Sequence, residues 1–221
     1  MDFQNYLAYA DINKQTIKEA WSSKAITELR KKHLLNNVKN TICDKRIKRK
    51  GVLNMEKVDV YNKFRERTEK IKGRKELTIG EYRISTHIWI KDSKDRLLIE
   101  KRSEKEDKFP GMWAQVGGGV KTGDTSKITV FKECKEELGY DVKEENLFYI
   151  GTYIRTTDIV DVWMVNQDVN IDGLKLQEDE VADVKLVTFE EFDEMIKNGK
   201  VVPSINPSYA LVKNFNECYL N

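Results

Sequence analysis

The stretch from Gly117 to Tyr140, GGGVKTGDTSKITVFKECKEELGY, constrains this chain more than any other. Three glycines lead through a short loop into a segment of helical character, which carries Glu133, Glu136 and Glu137 before Gly139 ends it. At i, i+3 and i+4 the three carboxylates share one helix face. Two carboxylates ~5 Å apart at an effective dielectric of about 20 repel by ~3 kcal/mol. A divalent cation turns that repulsion into attraction, and an all-oxygen donor set suits Mg²⁺ or Mn²⁺. Such spacing alone more often marks the solvated face of a Lys/Glu-rich helix. The glycine-rich loop in front of it is what turns the reading toward a metal site.

Loop and helix together carry a longer pattern: Gly118, five residues, Asp124, seven residues, then Lys132-Glu133-Cys134, Glu136-Glu137 and Gly139-Tyr140. This resembles the Nudix box, a motif with many fixed positions. Two positions depart from it, since Asp124 stands where the family usually has Glu and Lys132 where it has Arg. Both keep their charge, but Asp is one methylene shorter and Lys lacks the planar fork of Arg. Residues 55–210 resemble a Nudix hydrolase, and LLIEKRSEKEDKFPGMW before the glycines resembles the branch related to isopentenyl-diphosphate isomerase. The resemblance implies an α+β chain with the Nudix fold, a mixed β-sheet in an α/β/α sandwich. It also implies hydrolysis, with Mg²⁺ or Mn²⁺, of a nucleoside diphosphate linked to another moiety.

On that resemblance Glu133, Glu136 and Glu137 are metal ligands, Asp124 helps to position the box, and Lys132 takes the orienting role of the usual Arg. Diphosphate oxygens are anionic, so carboxylates hold them only through bridging cations, which also lower the pKa of the attacking water. The base for that water comes, in the family, either from the box glutamates or from a downstream acidic loop. Here the box offers Glu136 and Glu137, and the loop QEDEV offers Glu178 and Glu180. Gly117, Gly118 and Gly119 let backbone approach a substrate without a Cβ clash, and Lys101 and Arg102 at a strand end can balance phosphate charge. Trp89, Tyr153 and Trp163 offer faces for a base, although strand aromatics more often pack in a core. His87 and Cys134 read as structural, and Trp113 is expected beneath the glycine loop. The isomerase itself needs a Cys and a metal-binding His beside the glycines; Val116-Gly117-Gly118-Gly119 supplies neither. A rival of another class is a nucleotide-sensing regulator whose basic N-terminus binds nucleic acid, and a complete box argues against it.

Strands are expected at Tyr82–Lys91 and Arg96–Lys101, joined as a hairpin, and at Leu147–Ile154, Val160–Val165 and Val184–Val187. Thr188 and Glu191 form a capping box for a helix that Gly199 closes. Pro203 and Pro207 are expected to break the chain before a last helix, Ser208–Tyr219. Residues 1–54 are expected to be a helical extension and 55–221 the Nudix domain. The extension carries 12 Lys and Arg against 5 Asp and Glu, out of 39 and 37 in the chain, so the domain is left acidic. Its cluster KRIKRK, residues 45–50, fits a solvated basic linker or a contact with an anionic surface. Met55 begins MEKVDVYNK, a start that suits a compact Nudix domain, and internal initiation there would leave residues 1–54 out of the native product. Three widely spaced cysteines, Cys43, Cys134 and Cys218, fit reduced thiols rather than a disulfide framework or a zinc site. No apolar run reaches membrane-spanning length, and no signal-peptide pattern opens the chain. The expectation is a cytoplasmic enzyme acting on a small-molecule diphosphate. Neither membrane nor nucleic acid is expected as a partner, and there is room for a homodimer.

Overall fold

A computed structural model of the chain describes residues 57–219. The expected helical extension 1–54, its basic cluster and the domain start at Met55 lie outside the described residues. The described part opens with an antiparallel pair, β1 (Lys57–Tyr61) and β2 (Arg67–Gly73). Asn62 builds their turn: its Oδ1 accepts from the N–H of Phe64 at 2.9 Å and of Glu66 at 3.1 Å. Asn suits this position because its side chain mimics a backbone turn.

The core is a seven-stranded mixed sheet. Its centre is β3 (Arg83–Lys91), all nine residues of which are buried. Such a strand reads as a near-continuous apolar run because both of its faces are covered. A turn leads to β4 (Leu97–Arg102), as the hairpin expectation has it. However, β3 and β4 pair only at their root, Ile90 with Leu98 and Lys91 with Leu97. Beyond that they splay. The short strands β5 (Trp113–Ala114) and β6 (Val116–Gly119) fill the gap, β5 against Glu100 and Lys101 of β4, and β6 against Ser85–Ile88 of β3.

Helix α1 (Ser126–Leu138) follows the glycines, then β7 (Leu147–Ile154) and β8 (Asp158–Asn166). β8 runs parallel to β3 along its whole length, and β7 is antiparallel to β8. Strand β9 (Val181–Val187), three residues longer than expected, pairs with β4. Helices α2 (Phe189–Lys197) and α3 (Asn206–Tyr219) complete the domain. Thr188 and Glu191 do form the capping box of α2. Pro207 does not break the chain. It sits inside the first turn of α3, where the missing N–H costs nothing.

Period-two alternation divides the core between the two sheet faces. Ile88, Ile90 and Leu98 pack with Val130, Cys134 and Leu138 of α1. Trp89, Leu97, Ile99, Val162 and Met164 pack on the other face with Phe192 of α2 and with Tyr209 and Val212 of α3. Helix on each side of one mixed sheet is the α/β/α sandwich expected. Each large side chain so buried stabilises the fold by ~1.5–3 kcal/mol. Trp89, with no exposed surface, lies 5.5 Å from both Phe192 and Tyr209, so it is core and stacks no ligand. Trp113 is also corrected: it packs on the α2/α3 face under the Lys185 ammonium, 4.4 Å away, not beneath the glycines. None of the described helices is long and apolar enough to cross a membrane.

Candidate active site

The glycines are explained by what touches them. A Cβ on Gly118 would stand 2.0 Å from Oε1 of Glu133, and one on Gly117 would stand 2.4 Å from the carbonyl oxygen of Thr86. The Glu133 carboxylate therefore rests on bare backbone of β6, an approach only glycine permits. Gly119 continues the same strand, half-buried, opposite Ser85.

Helix α1 is fixed at both ends. The Thr125 side chain accepts from the N–H of Ile128 at 3.2 Å, and Gly139 closes the helix in the left-handed region at φ 65°. With those ends set, Val130, Cys134, Glu137 and Leu138 point to the sheet. The three box glutamates are consequently not equivalent. Glu137 is 5% exposed, Glu133 is half-buried on Gly118, and Glu136 is exposed with the Lys121 ammonium 3.9 Å away. Lys132 and Asp124, the two departures from the family pattern, pair with one another at 2.8 and 2.9 Å and brace the loop against the helix. Cys134 is fully buried, its thiol pushed well up by burial and by the nearby carboxylates, as suits a packing residue.

Glu137 does not stand alone. Glu100 of β4, 5% exposed, bears directly on it, and one oxygen of each, Oε2, is buried without a hydrogen-bond partner. Burial raises the pKa of Glu100 to about 8 against the pull of Arg102 and of a side-chain hydrogen bond with Glu137, with Glu180 and Glu133 adding to the rise. Burial likewise pushes Glu137 well up, followed by the charges of Glu100, Glu133 and Glu180. Four carboxyls from three parts of the chain thus act on one another through their charges: Glu133 and Glu137 from α1, Glu100 from β4, and Glu180 from the loop before β9. Among the described residues no three His, Cys, Asp or Glu are already drawn together as a ready-made ligand set. The donors nonetheless fit a hard divalent cation, being all oxygen and including buried oxygens that nothing in the protein satisfies.

Of the two loop acids, only Glu180 bears on Glu137. The Gln177 N–H donates to the Glu137 carbonyl at 2.9 Å, and its Nε2 donates to Glu180 Oε1 at 2.9 Å. Ser103 ties this loop to the end of β4, its N–H donating to the Glu180 carbonyl and its hydroxyl to the Glu178 carbonyl. Arg102 is engaged in the charged loop 103–109: Nε donates to the Lys108 carbonyl at 2.9 Å and Nη2 to Glu106 at 2.7 Å. Lys101 is half-buried in β4, opposite Trp113 and Asp183.

The sequence reading missed Glu100 and the Arg65–Asp161 pair. Arg65, in the β1–β2 turn, donates through Nη2 to the fully buried Asp161 of β8 at 2.6 Å. Trp163 stays half-buried on the α1 face, edge-on to Tyr149 at 5.2 Å, whereas Tyr153 turns its hydroxyl to His87.

Residues 81–208 match the family described as NUDIX domain. An uncharacterized Nudix hydrolase of Listeria innocua is 35% identical over 152 residues, 67% of this chain and 89% of that protein. An isopentenyl-diphosphate Delta-isomerase of Escherichia coli is 30% identical over 101 residues, 43% of this chain and 56% of the isomerase. In fold, the chain is similar to DR0079 from Deinococcus radiodurans, with a TM-score of 0.60 at 18% identity over 74% of this chain and 99% of that one. The chain belongs to the Nudix hydrolases, a family of pyrophosphohydrolases that generally use divalent metal ions.

Proposed function

We propose that this enzyme hydrolyses a phosphoanhydride bond in a nucleoside diphosphate-linked or related small molecule, with Mg²⁺ or Mn²⁺ held at Glu133 and Glu137 and with Glu136 at the rim. The observation that carries the reading is the glycine cradle of β6, on which Glu133 rests, paired with a buried, unsatisfied oxygen of Glu137 one turn further along the same helix as Glu133. The ion supplies charge for the phosphate oxygens and acidifies a bound water. The chain's own residues do the rest. The bare backbone at Gly117–Gly119 lets a diphosphate come close, and Glu133, lying on Gly118, sets where the donor oxygens stand. Glu180, in a solvated loop yet close to Glu137, is the base that takes the proton of the attacking water. Asp124 and Lys132 hold the loop on the helix and touch no substrate. Arg102 shapes the loop 103–109, and Lys101 stands beside it at the strand end. The reading adopted is a cytoplasmic enzyme with a small-molecule substrate, and isomerase chemistry is not part of it, because β6 reads VGGG, with neither Cys nor His.

The test is a screen of nucleoside and prenyl diphosphates with Mg²⁺ and Mn²⁺, scoring orthophosphate and pyrophosphate separately. Glu137→Gln should lower turnover by about a thousandfold or more, the scale of losing an electrostatic group that acts in the transition state, with the fold intact by circular dichroism. Wild-type turnover in that variant would sink the assignment.

A further inference from the structure

We propose that Glu100 is a metal ligand from the sheet, so that the divalent ion is gripped between β4 and α1 rather than on the helix alone. The inference rests on the metal-dependent reading above and adds to it a residue outside the box. Strand alternation puts Glu100 on the face of Leu98, which packs against α1. Two residues further along that face, where the packing calls for another apolar side chain, β4 carries a carboxylate.

The protein offers that carboxyl little besides Glu137 itself, with which its side chain hydrogen-bonds. Its register neighbours are Ala114 on β5 and Val184 on β9. Arg102, two residues on, spends its guanidinium on Lys108 and Glu106. Glu100 Oε2 is buried with no hydrogen-bond partner, and Oε2 of Glu137 is in the same condition. A buried carboxyl with one oxygen unsatisfied is costly, and a second in the same condition beside it makes it more so. Glutamine or leucine would fill the position without that cost. A hard cation held by the Glu100 and Glu137 carboxylates would answer both at once, because such ions take oxygen donors from separate elements. The half-buried Glu133, lying on Gly118, adds its charge to both carboxyls from the helix side.

The experiment titrates Mn²⁺ into the full chain without nucleotide and follows free Mn²⁺ by electron paramagnetic resonance. The proteins are wild type, Glu100→Gln, Glu100→Asp, Glu137→Gln and, as a control, Glu190→Gln on the exposed side of α2. Glu100→Gln should weaken Mn²⁺ binding tenfold or more, as Glu137→Gln does, and Glu190→Gln should bind as wild type. Should Glu100→Gln fail to fold, Glu100→Asp carries the test, since it keeps the charge but withdraws the donor, and a loss of affinity is again expected. Binding within twofold of wild type in the folded Glu100 variant, with Glu137→Gln impaired, overturns the role of Glu100 and leaves the metal site standing. No Mn²⁺ uptake by wild type overturns both.

Discussion

A histidine in the middle of β3 shows how burial fixes the state of one side chain. His87 Nδ1 lies 2.9 Å from the Ser208 hydroxyl and 3.3 Å from that of Tyr153. Burial, and then the charge of Arg155, lower its pKa from 6.5 to about 3. As pH falls through 6.5 the unfolded chain takes up a proton that the folded one refuses. The stability tied to His87 is therefore complete above pH 6.5 and is lost as pH falls toward 3, by up to ~1.4 kcal/mol per pH unit. Urea unfolding of wild type and His87→Gln from pH 4 to 7 should show the gap between them changing with that sign; parallel curves would rule the account out. Gly118 makes the complementary point for function. Gly118→Ala must push the Glu133 carboxylate aside, since its Cβ would lie 2.0 Å from Oε1. A shift of ~1 Å at a catalytic group can cost about a hundredfold, so turnover should fall ten- to a hundredfold while the unfolding midpoint barely moves. Unchanged kcat would mean that the resting place of Glu133 is not used. The box residues were legible because their spacing is rigid along one helix. Glu100 was not, although Leu98 two positions earlier carried the signal: a charge on the buried face of a strand.

At the level of elements, helices and strands with strong local signals came out of the sequence. The capping box at Thr188, the glycine stop after α1 and the runs of β-branched residues all correspond to observed elements. The splay between β3 and β4 did not, because it is created by β5 and β6, of two and four residues, arriving from beyond the charged loop. Local pattern cannot report where a distant segment inserts. The β1–β2 pair was missed for another reason. RTEKIKG is mostly exposed and lacks the apolar alternation of a half-buried strand. The two sheet faces also divide labour: α1 carries the carboxylates, while α2 and α3 form a purely packing layer over Trp89. Phe192→Ala should accordingly cost ~3–5 kcal/mol by denaturant unfolding, the usual range for a buried phenylalanine. Its Mn²⁺ affinity at a temperature where it is folded should match wild type. A large drop in affinity would show that the packing layer sets the site through the sheet.

Across the whole molecule, the proposed metal site would make folding and metal binding one problem. The described domain keeps Glu100 and Glu137 buried against each other, with Glu133 and Glu180 adding to the repulsion. Without metal the folded form must bury these groups, largely as neutral acids given their raised pKa values, and a divalent ion that binds only the folded form takes the place of their protons. By mass action an ion at a hundredfold its dissociation constant stabilises by ~2.7 kcal/mol. For a domain of this size each kcal/mol is worth roughly 2–4 °C in midpoint, so saturating Mn²⁺ should raise Tm by about 5–10 °C. Excess chelator should return it to the starting value, and orthophosphate or pyrophosphate release should disappear and reappear in step. Glu137→Gln separates this linkage from unspecific salt effects. It replaces a buried ionisable carboxyl with a neutral amide, so without metal it should melt no lower than wild type, and its response to Mn²⁺ should shrink to a small fraction. Scanning calorimetry on both proteins, with Mn²⁺ and with chelator, reads all four states. A wild-type Tm indifferent to Mn²⁺ while turnover needs the ion would mean that the ion arrives only with substrate, and that the carboxylates fold without its help.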